Sequence, residues 1–341
     1  MKASQQTHLV TVDRIADLSP TVREFTLRPD DGAATAYAPG SHLPVEVPVG
    51  ERRTVPRHYS LIGLPGEGVW RIAVKHLPQG RGGSRAMWRL EEGARLRVGA
   101  PASHFELDHR ARDVLLLAGG IGVTPLVGMA QALAERAALR GDVRVRMLQV
   151  ARVAEELVFA DTLAEALGDR LRTVVTGAGQ TLDLAAEIAA LPANAQCYVC
   201  GPAGLMQHTR QVWREAGRPA VHLRFETFGT SGEHPAQAFT VKLPRHGLTL
   251  DVPPDSTLLE ALERAGVEVL ADCRRGECGL CAVDVLAVES GVLDHRDVFL
   301  SPGQRAENHQ ICACVSRVAS VAGGASGTPA CIVLDSSYRP D

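Results

Sequence analysis

The stretch Cys273-Arg274-Arg275-Gly276-Glu277-Cys278-Gly279-Leu280-Cys281 constrains this chain more than any other. Its spacing, C-x4-C-x2-C, is that of the first three ligands of a plant-type [2Fe–2S] cluster. Three thiolates on one short loop must converge on two irons, and Gly276 and Gly279 let the backbone curl around the sulfides. A fourth thiolate has to come from further along. Cys312 and Cys314 both qualify, with 30 and 32 residues separating them from Cys281. Spacing alone does not choose between them. A structural zinc site would ask for a second paired motif, and no such pair is evident.

The remaining cysteines support a metal site over a disulfide framework. None of the eight precedes Cys197, and five fall between Cys273 and Cys314. Such clustering suits a reducing compartment. A length of 341 residues is enough for two or three domains with their own cores. A formal net charge of −3 gives no reason to expect nucleic acid or an acidic membrane as partner. The first eight residues hold no apolar run, so no signal peptide is read there. The uncharged run 114–133 is interrupted by Gly119, Gly120, Gly122, Pro125 and Gly128. It reads as strand, glycine turn and helix start, not as a membrane span. The expected location is cytoplasmic.

Residues 1–107 read as short β-strands punctuated by Pro and Gly, which predicts a small antiparallel barrel. Two pieces in it bear chemistry. Arg57-His58-Tyr59-Ser60 puts a cation, a ring and a hydroxyl on one strand. The period of two sends Arg57 and Tyr59 to one face, as an anionic phosphate and a flat ring system would need. Gly80-Arg81-Gly82-Gly83-Ser84 precedes a helical stretch, so its amides and the helix dipole form an anion site.

Residues 108–228 alternate strand and helix, which predicts a parallel α/β sheet for a nucleotide. The apolar run 113–118 feeds Gly119-Gly120-Ile121-Gly122-Val123-Thr124-Pro125 and a helix to about 140. From Gly120 the pattern is G-x-G-x-x-P, short of the full dinucleotide fingerprint. Arg152 stands after the next strand in place of an acidic residue, where a 2′-phosphate could be met. Cys200-Gly201-Pro202 ends a further strand and opens another helix. Both glycine turns belong at the carboxyl ends of strands, where such sheets bind ligands. By itself Cys200 is also compatible with plain core packing.

Residues 229–237 have the composition of a flexible linker. Residues 238–341 read as a hairpin, a capped helix over 256–266 and the cysteine loop, the succession of an α+β ferredoxin-like β-grasp module. The stretch 321–330 is a glycine-rich insertion before the closing strand.

In this order the motifs resemble the reductases of the phthalate dioxygenase reductase and vanillate O-demethylase reductase family, within the ferredoxin–NADP reductase-like superfamily. The match extends to Leu293-Asp294-His295-Arg296-Asp297 and Cys314-Val315-Ser316-Arg317. The resemblance implies a three-domain chain that carries electrons from NADH through FMN to a [2Fe–2S] cluster. The final acceptor would be a separate oxygenase of the Rieske type, a ring dioxygenase or an O-demethylase, and the chain itself a monomer. It assigns Arg57, Tyr59 and Ser60 to the flavin strand, with Ser60 near the reactive edge; His58, a further candidate on that strand, stands at a position the family varies. Ala73 and Val74 would lie along the isoalloxazine, and Gly82, Gly83 and Ser84 would hold the flavin phosphate. Gly120, Thr124, Gly201 and Pro202 match the nicotinamide cofactor turns, Cys200 the thiol beside the nicotinamide, and Phe225 and Glu226 the segment closing over the flavin. It favours Cys314 as fourth ligand beside Cys273, Cys278 and Cys281, and puts His295, Arg296 and Asp297 near a docking face. Other acceptors remain open at this stage: a di-iron monooxygenase, or none, as in a redox sensor.

Overall fold

The computed structural model describes residues 7–32, 36–50, 53–66, 68–78, 80, 82–228, 232, 234–320 and 329–335. Residues 321–328 of the insertion, Gln79, Arg81 and residues 229–231 and 233 of the expected linker lie outside the described residues. The chain divides into two units, residues 1–78 with 83–226, and residues 79–82 with 227–341.

The first unit holds two sheets. Strands β1 (Thr7–Ser19), β2 (Val22–Pro29), β3 (His42–Gly50), β4 (Arg53–Ser60), β5 (Trp70–Lys75) and β6 (Arg95–Gly99) form one antiparallel sheet, ordered β4-β3-β6-β1-β2-β5. Its two edges meet. Leu61 bridges Ile72, and the Ile62 N–H donates to the Arg71 carbonyl at 2.9 Å, so the sheet closes into a barrel with no long free edge. Alternation fills the interior with Val10, Val12, Phe25, Leu27, Leu43, Val45, Trp70 and Ile72, all nearly inaccessible. Helix α1 (Gly83–Met87) packs on this core through the fully buried Met87.

The second sheet is parallel, as its continuous apolar runs predict. Strands β7 (Asp113–Gly119), β8 (Arg144–Ala151), β9 (Leu171–Val175), β10 (Gln196–Cys200) and β11 (Leu223–Glu226) lie in the order β11-β10-β7-β8-β9. Helices α2 (Thr124–Arg140), α3 (Ala160–Leu167), α4 (Leu184–Ala189) and α5 (Ala203–Glu215) make the crossovers and covers. The α4 helix has no counterpart in the sequence reading; Asp183 caps it by accepting from the Ala186 N–H at 2.9 Å. The chain order reverses between β7 and β10, which is therefore the switch point of the sheet. Barrel and sheet touch without side chains at one point. A Cβ on Gly128 of α2 would stand 2.3 Å from the Gly63 carbonyl oxygen.

The second unit is a mixed sheet with one main helix. Strands β12 (Phe239–Leu243), β13 (Leu248–Val252), β14 (Ala282–Ser290), β16 (Gln310–Cys312) and β18 (Ala330–Asp335) run in the order β13-β12-β18-β14-β16, while β15 (Val292–Asp294) pairs with β17 (Arg317–Ala319). Only β12 and β18 are parallel. Helix α6 (Leu258–Arg264) is set by a capping box, Thr257 with Glu260, and buries Leu258, Leu259 and Leu262 on the sheet. A short α7 (Pro302–Glu307) follows the cysteine loop. No helix of the described residues is long and apolar enough to cross a membrane.

Candidate functional site

On β4, Val55, Arg57 and Tyr59 share a face, and Val55 and Tyr59 pack on the barrel core. Burial pushes the Tyr59 hydroxyl above its ordinary pKa, against the opposing charge of Arg57. The Arg57 guanidinium lies against α1: a Cβ on Gly83 would fall 2.8 Å from its Nε. One of its nitrogens, Nη2, is buried with no partner among the described residues. So the strand and the glycine turn, unlinked in sequence, form one cradle with a donor to spare. The helix dipole adds little here, because α1 has only five residues. The Ser84 hydroxyl is used locally, accepting from the Leu77 N–H at 3.1 Å. Gly82 has a φ of +86°, a conformation open to glycine. Ala73 and Val74 are buried on β5, and the Val74 carbonyl accepts from Trp88 Nε1 at 3.0 Å.

Ser60 lies on the opposite face of β4 from Tyr59. Its Oγ donates to Oε2 of Glu226 at 3.4 Å, across 166 positions of sequence. Both side chains are buried. Glu226 stands beside Cys200 in the β10–β11 register, and Phe225 beside Val199. Arg210 lies over the Phe225 ring at 5.3 Å. Ser60, Glu226 and Cys200 thus gather where the barrel meets the carboxyl end of the parallel sheet.

The two glycine turns meet at the switch point. Ala118 and Cys200 are register partners at the ends of β7 and β10. A Cβ on Gly122 would stand 2.3 Å from the Cys200 carbonyl oxygen, and one on Gly119 would stand 2.7 Å from Pro202 Cδ. A Cβ on Gly201 would stand 3.0 Å from Gly119 Cα. Gly120 takes a φ of +51° in the turn before α2. Thr124 starts the helix, is buried, and donates to the Ile121 carbonyl at 3.0 Å. Arg152 is exposed beyond the end of β8, one strand away. His58 lies on the outer face of β4 in a tilted stack with His42, ring centroids 4.9 Å apart.

In the second unit the cysteine loop is built to present sulfur. The N–H groups of Arg275, Glu277 and Cys278 each lie 3.4 Å from Cys273 Sγ. Gly276 and Gly279 both have a φ of +76°. A Cβ would strike Val315 Cγ2 at 2.6 Å from the first and the Phe299 ring at 2.3 Å from the second. Hydrogen bonds from Cys312 and Cys314 pull the Cys281 thiol down to about 3, and the same contacts with Cys281, helped by burial, push both partners up. The candidates for fourth thiolate differ in their other neighbours. Cys314 feels the charge of Cys273 and accepts from the Gly276 N–H, whereas Cys312 feels the charge of Asp297. Cys278 is exposed; Cys273, Cys281 and Cys314 are buried.

Two family models match the chain, an oxidoreductase FAD-binding domain over residues 9–107 and a 2Fe-2S iron-sulfur cluster binding domain over residues 241–319. The vanillate O-demethylase oxidoreductase of Pseudomonas putida is 34% identical over 311 residues, 88% of this chain and 94% of the relative. The chain belongs to the phthalate dioxygenase reductase and vanillate O-demethylase reductase family. It is an oxidoreductase with a flavin-binding barrel, a parallel α/β sheet and a [2Fe–2S] domain. Across 96% of this chain it superposes on 98% of phthalate dioxygenase reductase with a TM-score of 0.75 at 28% identity, a structure described as modular for electron transfer from pyridine nucleotides to [2Fe–2S]. Haem systems are relatives too. The beta subunit of a heme-dependent oxidative N-demethylase of Ectopseudomonas mendocina is 34% identical over 310 residues, 90% of this chain and 95% of that subunit. The full-length P450 CYP116B46 of Tepidiphilus thermophilus is 33% identical with a TM-score of 0.64, and there the chain spans 42% of the longer protein.

In this member the Leu293–Asp297 segment is no simple surface turn. Asp294 and Asp297 are buried. Asp294 holds Arg296 at 2.6 Å, and Asp297 accepts from the Leu300 N–H at 2.8 Å. Burial works to raise the Asp297 pKa, but hydrogen bonds from His295 and Leu300, with the charge of Arg305, hold it below the usual carboxylate range. Arg317 is a tie: it donates to the carbonyls of Gln237 and Pro253 at 2.9 Å each, and lies 5.0 Å over the Phe239 ring. Two further residues were not singled out in sequence. Lys75 at the end of β5 pairs with Glu156 after β8. Glu277, inside the cysteine loop, accepts from the Thr227 N–H. Only the position of Glu277 between two loop cysteines hinted at a role.

Proposed function

We propose that this protein takes electrons from NADH, passes them through FMN to a [2Fe–2S] cluster, and delivers them to a separate oxygenase component, a Rieske-type dioxygenase or O-demethylase. The observation that carries the reading is the convergence of Ser60, Glu226 and Cys200 at the end of the parallel sheet, beside a barrel cradle with a spare Arg57 donor. A bound flavin supplies the conversion of a two-electron hydride donor into the single electrons that a [2Fe–2S] cluster accepts.

The chain's residues do the rest. Arg57, with the backbone of Gly82, Gly83 and Ser84, holds the flavin phosphate; a guanidinium with a free N–H suits an anion. Tyr59, His58, Ala73 and Val74 shape the ring's seat. Ser60 Oγ holds its proton toward Glu226, which fixes the hydroxyl at the flavin edge. Gly120, Gly201, Pro202 and Thr124 let the dinucleotide approach the backbone at the switch point. Cys200 and Phe225 bound the nicotinamide end, and exposed Arg152 meets the adenosine end. Cys273, Cys278, Cys281 and Cys314 hold the cluster. The amides on Cys273 suit a charged sulfur, and the hydrogen bond that Cys314 accepts from Gly276, inside the cysteine loop, supports it over Cys312. The protein works as a monomer in the cytoplasm, where thiolates stay reduced.

The test begins with the holoprotein: identify the flavin released on denaturation, count iron, and record the visible spectrum. Cys278→Ser should abolish NADH-driven reduction of cytochrome c and leave flavin reduction by NADH intact. Loss of both would overturn the relay order. The kinship to a heme-dependent N-demethylase subunit and to a P450 favours a second reading, in which the acceptor is a haem protein. Side-by-side reduction rates of a Rieske oxygenase and a haem oxygenase separate the two.

A further inference from the structure

The seam of the barrel stops early. Its edge strands β4 and β5 are joined where Leu61 bridges Ile72 and the Ile62 N–H meets the Arg71 carbonyl. Past that point stand Tyr59 and Ser60 on one side and Ala73 and Val74 on the other. Among the described residues no ladder pairing crosses the seam there. An open seam leaves edge-strand backbone groups in need of other partners. The Val74 carbonyl has one: it accepts from Nε1 of Trp88 at 3.0 Å.

Trp88 directly follows α1. Its backbone N–H donates to the Ser84 carbonyl at 3.0 Å, and Ser84 Oγ accepts from the Leu77 N–H at 3.1 Å. Ser84 and Trp88 are four residues apart, so they lie on one side of the helical turn. They reach Leu77 and Val74 as two rungs between α1 and the end of β5. The indole is held in turn. Arg23, opposite Val74 in the β2–β5 register, lies 4.6 Å over its ring and donates to the Trp88 carbonyl at 3.0 Å. His76 packs against the ring with centroids 5.0 Å apart. An indole has a single polar atom, and here it is aimed at one strand carbonyl.

The rungs join two halves of the flavin seat. The α1 helix brings Gly83 against Arg57, which is the phosphate cradle. The β5 strand brings Ala73 and Val74, the side of the ring. Strand β4 gives one residue to each half, Arg57 and Tyr59, at a spacing the strand itself fixes. The spacing of α1 from β5 is set by the rungs. We propose that Trp88 is a positioning residue for the flavin: its indole N–H ties β5 to α1, so that ring seat and phosphate cradle keep one separation and grip the flavin together. The inference rests on the flavin reading above. With the two halves rigidly spaced, binding of the ring delivers the phosphate to its cradle already oriented; with loose halves that advantage is lost.

The experiment strips flavin from the full-length protein and refills it with FMN or with riboflavin, which has the ring and no phosphate. Dissociation constants for both are read by flavin fluorescence, with Tm and iron content, in wild type, Trp88→Phe, Arg23→Gln and Val98→Ala. Phenylalanine keeps a ring for Arg23 and His76 and removes the N–H. Arg23→Gln loosens the indole and leaves the residues of seat and cradle in place. Val98→Ala loosens the barrel core on β6, which β1 and β2 separate from β5. Wild type should bind FMN about ten- to a hundredfold more tightly than riboflavin, the size of one charge-assisted contact. Trp88→Phe should shrink that ratio about fivefold or more by weakening FMN, and Arg23→Gln should shrink it less. Val98→Ala should lower Tm and keep the wild-type ratio. A wild-type ratio in Trp88→Phe overturns the proposal; if that variant does not fold, a wild-type ratio in Arg23→Gln does so. An equal shrinkage in Val98→Ala overturns it too, since general loosening would then suffice. So does a wild type with no preference for FMN, which has no link between the grips to lose. If wild type binds neither compound, the flavin reading itself fails, and this inference falls with it.

Discussion

Gly122→Ala tests the crevice between the two glycine turns. Its backbone φ is ordinary for any residue, so only space is at issue. The added Cβ would stand 2.3 Å from the Cys200 carbonyl oxygen, 2.5 Å from its carbon and 2.7 Å from the Gly201 nitrogen. All three are backbone atoms at the end of a central strand, so no side chain can swing away. The turns must part instead. Overpacking of this kind costs about 1–3 kcal/mol, and each kcal/mol lowers Tm by about 2–4 °C in a unit of this size. A gap opened at the dinucleotide turns should also lower kcat/KM for NADH by about tenfold or more, because a shift near 1 Å is enough. Gly141→Ala is the control. Gly141 ends α2 with a φ of +63° and nothing within 4 Å of a Cβ. Its strain costs about 1–2 kcal/mol, far from the crevice. Thermal melts and NADH–ferricyanide kinetics on both variants decide the matter. Equal kcat/KM values at similar Tm would refute the claim that these turns carry the dinucleotide.

Cys314→Ala should lose the cluster, read as loss of iron and visible absorbance, while Cys312→Ala keeps it; the reverse pattern would move the fourth ligand to Cys312. Arg57→Leu should release flavin on dilution, with apparent Kd raised at least about tenfold, matching the loss of one charge-assisted contact of about 1.5–3 kcal/mol; unchanged flavin retention counts against the cradle. The Cys197 thiol, wholly buried on β10, is pushed up from 9.0 to about 12 by burial. Its folded pKa is raised, so stability is intact below pH 9 and falls as pH climbs toward 12. The loss should reach about 2 kcal/mol near pH 10.5. Cys197→Ala should flatten that alkaline slope in denaturant titrations, whatever its baseline stability; an unchanged slope would dismiss the thiol as its source.

Much of the site was legible because it is local. The cysteine loop needs three thiolates and two left-handed glycines within nine residues, and those positions declare themselves in order. The two glycine turns follow apolar runs that can only be buried parallel strands, and β7, α2, β10 and α5 fall where the pattern puts them. Element edges were less legible. The Gly-Arg-Gly-Gly-Ser turn leads into only a single short helical turn, since Trp88 and the residues after it leave the helix to pack on the barrel. The segment at 293–297 gives no sign of burial in its sequence, yet Asp294 is buried in the pairing of β15 with β17, and Asp297 is buried where it accepts from the Leu300 N–H and the Ser316 hydroxyl.

What the chain order determined was the inventory: a barrel strand with Arg57, Tyr59 and Ser60, a nucleotide sheet, and an iron–sulfur loop. Period, punctuation and cysteine spacing act over a few residues, so a linear reading captures them. Only the tertiary structure decided who meets whom. Ser60 finds Glu226 across 166 positions, Arg57 settles on Gly83, and Gly122 closes on Cys200. Those contacts follow from how closed and parallel sheets pack against each other, and packing joins residues by distance in space, which sequence separation does not encode.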